Sequence, residues 1–185
     1  IISQKTGGEV IKIGRMAGQY AKPRSNEFET INGTTLPVYR GDIINNIEFT
    51  SKARKPNPEL MLKVFNKSFE TMKAIKNADN NFYTSHEALL LDYEESLVRQ
   101  KDNIMYLSST HFPWVGDRTR NFNSAHIEFL KGIANPISIK CGINTDLDDL
   151  VKIINILNPK NEVGKISLTI RMGNKNINKF FPILI

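Results

Sequence analysis

The sequence has 185 residues, 40% of them hydrophobic, which is enough for one domain with a substantial core. Its formal net charge is +6, but the basic residues are scattered and form no tract of the kind that binds nucleic acid. The single cysteine excludes an internal disulfide framework, and no apolar stretch approaches the roughly 18 residues that span a membrane.

Four short apolar runs, each ending at a basic residue, are predicted to be strands. They cover residues 10–15, 104–118, 136–140 and 166–171, and within the second run the strand is predicted near residues 104–108. Helical patterns separate the later runs, and strands that alternate with helices indicate βαβ units and a parallel sheet. In such sheets ligands bind at the carboxyl ends of the strands.

A long excursion separates the first two predicted strands. Residues 26–57 are polar and are predicted to be an ordered loop, since loops of this length are uncommon unless they are functional. Residues 58–78 carry apolar side chains at three-to-four spacing after a proline, which predicts a helix. Thr84 and Glu87 have capping-box spacing, so a second helix is predicted from there to about residue 100. Residues 26–100 are therefore predicted to be an inserted loop with two helices.

The second half of the chain alternates strands with helices, which are predicted over residues 124–133 and 146–157 and from residue 173 onward. On the strands, small or polar side chains share the phase of Lys140 and Arg171, while apolar side chains occupy the other phase. This pattern fits a barrel with a polar interior and an outer face covered by helices.

The basic residues at the strand ends predict a socket for a small ligand with several negative charges. Taken singly, Arg15, Arg118, Lys140 and Arg171 would each be interpreted as solvated or salt-bridged side chains. Four of them at strand ends favour a ligand instead. Phosphate and carboxylate are the natural candidates, because the guanidinium fork matches both groups.

Six segments carry longer motifs. They are residues 12–25 (KIGRMAGQYAKPRS), 39–42 (YRGD), 84–89 (TSHEAL), 114–120 (WVGDRTR), 134–136 (ANP) and 170–173 (IRMG). Together they resemble the class II (plant-like) 3-deoxy-D-arabino-heptulosonate 7-phosphate (DAHP) synthases. Such enzymes are α/β proteins with a (β/α)8 TIM barrel, so the resemblance implies that residues 1–185 are the central part of one barrel domain. That part would cover roughly strands 2–5 and be truncated at both ends.

The resemblance also implies a reaction. DAHP synthases are transferases that condense phosphoenolpyruvate with D-erythrose 4-phosphate and water, giving DAHP and phosphate. This is the first step of the shikimate pathway, which leads to chorismate and the aromatic amino acids. Both substrates are anions that must be held together against mutual repulsion, and fixed cations can do this while stabilising the departing phosphate.

The resemblance assigns two groups of site residues. The positions that surround phosphoenolpyruvate are Arg15, Asp117, Arg118, Lys140 and Arg171. The positions that serve erythrose 4-phosphate are Lys22, Arg24 and Ser25. Lys22 is also the expected catalytic proton donor to the developing alkoxide, because neighbouring cations lower the pKa of a lysine.

A divalent metal ion is a further implication. The family uses Mn2+ or Co2+ to polarise the aldehyde, with ligands from a Cys on the first barrel strand and a His, a Glu and an Asp on later strands. The resemblance places the Cys before Ile1 and the others after Ile185. We therefore expect no metal ligand in this chain and no activity from it alone. Cys141 is out of phase with Lys140 and is predicted to be an ordinary buried thiol.

Other functions stay open at this point. A nucleic-acid binder would explain the positive charge, although no basic stripe or known module is evident. A truncated, non-catalytic remnant would keep the anion-binding residues without the metal site. The same reaction could also serve a secondary pathway such as phenazine formation. The intact protein is expected to be a homo-oligomer in the cytoplasm or a plastid, with no nucleic-acid or membrane partner.

Overall fold

The computed structural model describes residue 5 and residues 7–15, 21–78 and 81–184. The chain divides into two compact units. The first comprises Ile1–Tyr20 and Arg24–His86, and the second comprises Ala21–Pro23 and Glu87–Ile185. Among the described residues, no helix is long and apolar enough to cross a lipid bilayer.

Nine strands and six helices are defined within these ranges. The strands are β1 (Lys12–Arg15), β2 (Phe28–Ile31), β3 (Thr34–Pro37), β4 (Phe82–Glu87), β5 (Val98–Lys101), β6 (Ile104–Leu107), β7 (Phe112–Val115), β8 (Ile137–Cys141) and β9 (Ile166–Ile170). The helices are α1 (Ser51–Arg54), α2 (Glu59–Ala78), α3 (Leu91–Ser96), α4 (Ala125–Lys131), α5 (Leu147–Leu157) and α6 (Asn174–Leu184).

A parallel pair of strands, β1 and β4, lies in the first unit with α2 between them in the chain. Arg15 lies opposite Ser85 in the register of this pair, and the Ser85 hydroxyl donates to the Gly14 carbonyl at 3.3 Å. The helix predicted over residues 58–78 is confirmed as α2, which buries Leu60 and Val64 on one face.

The long excursion of the first unit is ordered, as predicted, and contains a hairpin. Strands β2 and β3 are antiparallel and are joined by Asn32 and Gly33, which have φ values of 50° and 77°. Two residues with positive φ form the tight turn that matches strand twist. Beyond it, the side-chain amide of the buried Asn45 donates to the carbonyls of Val38 and Arg54, each at 3.0 Å.

Three parallel strands, β7, β8 and β9, pair side by side in the second unit. The predicted alternation is confirmed on β8: Ile137, Ile139 and Cys141 have no exposed surface. On the opposite face the hydroxyls of Ser138 and Thr169 lie 2.5 Å apart across the two strands. Polar side chains therefore share the phase of Lys140, and apolar side chains occupy the other phase.

The predicted helices of the second unit are also confirmed, and side-chain caps explain where two of them begin. The Ser124 hydroxyl accepts from the backbone N–H of Ile127 at the start of α4. Asp146 accepts from the N–H of Asp149 at 2.9 Å at the start of α5. Such caps satisfy backbone donors that have no partner within the helix.

The helix predicted from Thr84 to about residue 100 is confirmed only over Leu91–Ser96, and its predicted start is wrong. The segment at Thr84 belongs to strand β4, and α3 begins only at Leu91. Thr84 and His86 are buried, whereas Tyr83 is exposed and Ser85 is partly exposed. This period of two identifies a strand, and it outweighs the capping-box spacing of Thr84 and Glu87. His86 therefore lies inside a strand rather than at a helix start.

The predicted second strand of the sheet is also wrong. Residues 104–108 mostly form β6, which pairs with β5 in an antiparallel hairpin. Asp102 and Asn103, with φ values of 49° and 61°, form its turn. The parallel strand of this region is β7, and β4 is a further one, so the described ranges contain five parallel strands instead of the four predicted. The architecture is α/β, with parallel strands compatible with part of a TIM-like barrel.

Candidate functional site

Basic side chains lie at or just beyond the carboxyl ends of all three parallel strands of the second unit. Lys140 is the penultimate residue of β8, and Arg171 comes directly after β9. The N–H of Arg171 donates to the carbonyl of Cys141 at 2.8 Å, which joins these two strand ends. Arg118 lies in the loop after β7. The second unit thus carries Arg118, Lys140 and Arg171 along one edge of its parallel strands, where α/β proteins bind ligands.

The ammonium group of Lys140 lies over the indole ring of Trp114, 3.2 Å from the ring centre. Trp114 is opposite Ser138 in the register, so it shares a face with Lys140, two residues further along β8. The indole is only 7% exposed, and a cation over an aromatic face is attracted by the ring. Trp114 therefore holds the Lys140 side chain at this strand end, a contact that the sequence did not reveal.

Asp117 pairs with Arg120 in the loop after β7. The Arg120 guanidinium donates from Nε and Nη2 to Oδ1 of Asp117 at 3.0 and 2.8 Å. Nη2 also lies 3.2 Å from the hydroxyl of Thr145, which belongs to the loop after β8. A Cβ on Gly142 would lie 3.9 Å from both carboxylate oxygens of Asp117. The predicted site residue Asp117 is thus fixed between two neighbouring strand-end loops.

A buried carboxylate lies beside the same loop. One carboxylate oxygen of Glu87, the last residue of β4, is buried and occupies the space that a side chain at position 116 would need. Gly116 is therefore required for this approach of Glu87. Glu87 was predicted only as part of a helix cap, and its position at a strand end could not be recognised while β4 was interpreted as a helix.

The KPRS element is divided between the two units. Lys22 and Pro23 belong to the second unit, where Arg118 donates from Nη1 to the Pro23 carbonyl at 3.1 Å. Lys22 is partly buried. Arg118, predicted to contact phosphoenolpyruvate, is therefore bonded to the residue that follows the predicted proton donor.

The remaining predicted residues lie in the first unit. Arg15 is exposed at the end of β1, and Arg24 and Ser25 are exposed as well. Arg24 donates from Nε to the Tyr39 carbonyl at 2.8 Å. Burial, with a hydrogen bond to Asp42, raises the pKa of the Tyr39 phenol. Residues 16–20, which complete the motif after Arg15, lie outside the described residues.

The described part of the chain offers no group of three or more His, Cys, Asp or Glu residues that could hold a metal ion. Cys141 is fully buried, and burial raises the pKa of its thiol. A protonated, buried thiol is a poor metal ligand. These residues do not fit the metal ion that the resemblance implies.

Comparison with known proteins gives a consistent result. A family model described as the Class-II DAHP synthetase family matches residues 1–81 and 76–185. The chain is 35% identical to a phospho-2-dehydro-3-deoxyheptonate aldolase of Streptomyces coelicolor, over 95% of this chain and 51% of that protein. It is 33% identical to a protein of the same name from Neurospora crassa, over 94% and 50%.

A probable phospho-2-dehydro-3-deoxyheptonate aldolase of Pseudomonas fluorescens is 34% identical, over 95% of this chain and 46% of that protein. The chain spans about half the length of the curated relatives it matches. The residues that the family model matches include every candidate site residue named above.

Proposed function

Because the chain belongs to the class-II DAHP synthetase family, we propose that it supplies the anion-binding part of a DAHP synthase active site. The observation that carries this proposal is the placement of Arg118, Lys140 and Arg171 at or just beyond the carboxyl ends of three paired parallel strands. Phosphoenolpyruvate has a phosphate and a carboxylate, and it needs several fixed cations at one place.

The proposed reaction joins the enol carbon of phosphoenolpyruvate to the aldehyde carbon of D-erythrose 4-phosphate. Water is consumed, phosphate is released, and the product is DAHP. This would be the transferase step that opens the shikimate pathway to the aromatic amino acids. Two anions must approach each other for the new carbon–carbon bond to form, so a cationic site lowers the barrier by offsetting their repulsion.

On the phosphoenolpyruvate side we assign Arg15, Asp117, Arg118, Lys140 and Arg171. The assignment of Lys140 and Arg171 to one ligand is supported by the hydrogen bond from the Arg171 N–H to the Cys141 carbonyl, which holds their two strand ends together. The contact between Lys140 and Trp114 supports a preorganised ammonium group, which loses little side-chain entropy when an anion binds.

On the erythrose 4-phosphate side we assign Lys22, Arg24 and Ser25. Arg24 uses Nε for the Tyr39 carbonyl, and its two terminal nitrogens take no part in that bond. Lys22 would donate a proton to the oxygen of the former aldehyde as the carbon–carbon bond forms.

A divalent ion would polarise that aldehyde in a metal-dependent enzyme of this family. Since the described residues form no metal-binding group, no step of the proposed reaction is assigned to a metal through this chain. The proposal is that Mn2+ or Co2+ is held by residues of the intact protein other than those described.

The test uses the full-length protein that contains this chain. We expect consumption of phosphoenolpyruvate that depends on erythrose 4-phosphate. We also expect phosphoenolpyruvate alone to change the fluorescence of Trp114, the only tryptophan of this sequence, because the anion would draw Lys140 away from the indole. Trp114→Phe supplies the background signal, and Lys140→Met should abolish the change. No turnover and no phosphoenolpyruvate binding would refute the proposed function.

A further inference from the structure

The loop after β7 is a closed turn that ends at Arg120. The N–H groups of Thr119 and Arg120 both donate to the Gly116 carbonyl, at 3.2 and 3.0 Å. The Gly116 N–H lies 3.1 Å from the Thr119 hydroxyl. Asp117 and Arg118, the two site residues in this loop, are therefore held within a turn that Arg120 completes.

The Arg120 side chain is only 10% exposed, whereas that of Asp117 is 58% exposed. A guanidinium that is nearly buried requires a charged or strongly polar partner. Asp117 supplies one through Oδ1, and Thr145 supplies a hydroxyl from the next strand-end loop. The Arg120 side chain thus lies inward of the carboxylate and ties the loops after β7 and β8 together.

The carboxylate of Asp117 is unfavourable for a negatively charged ligand at this site. An ionised carboxylate has only hydrogen-bond acceptors, so it has no donor to offer a phosphate or carboxylate ligand. Its negative charge would instead repel phosphoenolpyruvate. A cation within hydrogen-bonding distance cancels most of that charge as seen by the ligand.

We propose that Arg120 is a positioning residue that neutralises Asp117 and fixes its loop beside the phosphoenolpyruvate site. The inference rests on the proposed function and extends it, because neither the motif nor the relatives assign a role to Arg120. This refines the assignment of Asp117 to the phosphoenolpyruvate side: Asp117 lies beside the ligand as the anchor of the loop that carries Arg118, and its carboxylate bonds Arg120 instead of the ligand.

The decisive substitution is Arg120→Met in the full-length protein, which removes the charge and leaves Asp117 ionised. The Asp117 carboxylate would then be an uncompensated negative charge near the anion site. Because water screens much of this charge, we expect the KM for phosphoenolpyruvate to rise by only about fivefold. We expect kcat to stay within about twofold, because the loop does not carry the proton donor. Added salt should reduce the KM difference from the wild-type protein, since it screens exposed charges.

Two further variants separate charge from structure. In an Asp117→Asn background, Arg120→Met should change the KM for phosphoenolpyruvate by less than about twofold, because no charge is left to neutralise. Arg120→Lys keeps the charge and should lie within about threefold of the wild-type KM. Arg99→Met is the matched control: Arg99 is exposed on β5 and donates to the carbonyls of Ser96 and Val98.

The proposal is overturned if Arg120→Met has the wild-type KM for phosphoenolpyruvate, or if its KM rises equally with and without Asp117→Asn. If Arg120→Met does not fold, Arg120→Gln decides in its place, because it removes the charge and keeps hydrogen-bonding groups. The proposal requires a raised KM for phosphoenolpyruvate that added salt reduces, and a wild-type KM for Arg120→Gln overturns it. An inactive wild-type protein would refute the proposed function and this role with it, whereas an active one with a wild-type-like Arg120→Met refutes only this role.

Discussion

Lys140 and Lys165 are two partly buried lysines of the second unit whose surroundings predict opposite effects of the same substitution. Lys140 is the penultimate residue of β8 and faces Trp114. The Lys165 ammonium donates to the carbonyls of Ile133 and Asn135, both at 2.7 Å. Lys140→Met should lower kcat/KM for phosphoenolpyruvate at least about tenfold with little change in melting temperature. Arg171→Ala should behave in the same way.

Lys165→Met should instead lower stability and leave activity unchanged, because the carbonyl groups of Ile133 and Asn135 lose their hydrogen-bond donor. We expect a loss of about 1–3 kcal/mol in the free energy of unfolding and unchanged steady-state kinetics. Thermal denaturation and initial-rate assays on the two Met variants provide the comparison. A Lys140 variant that is as active as the wild type would remove this residue from the site.

The difference in stability between the wild type and Lys165→Met should also depend on pH. Burial lowers the pKa of Lys165, so the unfolded chain binds this proton more tightly than the folded chain. The free energy of unfolding of the wild type, relative to Lys165→Met, should therefore rise as pH increases from the lowered pKa toward the ordinary value of about 10.4. Urea denaturation of both proteins at several pH values measures this difference, and a decrease over that window would contradict the assignment.

Arg15 and Arg24 give a matched pair in the first unit, since both are exposed arginines at motif positions. Arg24→Ala should raise the KM for erythrose 4-phosphate by about tenfold, the value of one lost charged hydrogen bond, and leave the KM for phosphoenolpyruvate nearly unchanged. Arg15→Ala should show the opposite selectivity. Kinetics with each substrate varied in turn distinguish them, and equal losses for both substrates at Arg24 would contradict its assignment to the sugar phosphate.

At the level of single elements, helix α5 illustrates an acidic cluster with a structural role. Asp146 caps the helix by accepting from the N–H of Asp149, and the described residues contain no metal-binding group. Asp146→Ala should lower the free energy of unfolding by about 1 kcal/mol, as measured by urea denaturation. Asp148→Ala is the control within the same cluster. Stabilisation of the wild type by Ca2+ that disappears in Asp146→Ala would instead identify a metal site.

The helices were predictable because their apolar spacing is regular and their caps are local. The errors occurred where two local signals competed. Thr84 and Glu87 mimic a capping box inside β4, and Pro113 gives β7 the appearance of a loop although it is buried in a parallel strand. The Asn32–Gly33 pair is a strong hairpin signal within the stretch predicted to be a loop, and β2 and β3 form that hairpin.

The sequence indicates candidate site residues but does not indicate the contacts between them. Arg15, Arg118, Lys140 and Arg171 could be selected because each lies at the end of an apolar run, and all but Lys140 also belong to a motif. The contacts of Arg120 with Thr145 and of Lys140 with Trp114 join residues 25 or more positions apart on different strands or loops. No periodicity or spacing encodes such contacts, since they depend on how neighbouring strands are registered.

At the scale of the whole chain, each unit leaves large apolar side chains exposed. In the first unit Ile11 and Leu62 are each 70% exposed and Phe69 is 53% exposed, and in the second Ile183 is 57% exposed. Exposed apolar side chains favour association and aggregation when nothing covers them.

These 185 residues expressed by themselves should therefore aggregate or form a molten species that binds a hydrophobic dye and lacks a sharp thermal transition. Leu62→Lys tests the cause, because a charge on the exposed face of α2 should reduce dye binding and aggregation without restoring a cooperative transition. Dye fluorescence, light scattering and calorimetry provide the measurements. A soluble monomer that unfolds cooperatively would show that the two units bury enough apolar surface for independent stability, and that the exposed side chains of α2 are tolerated as they stand.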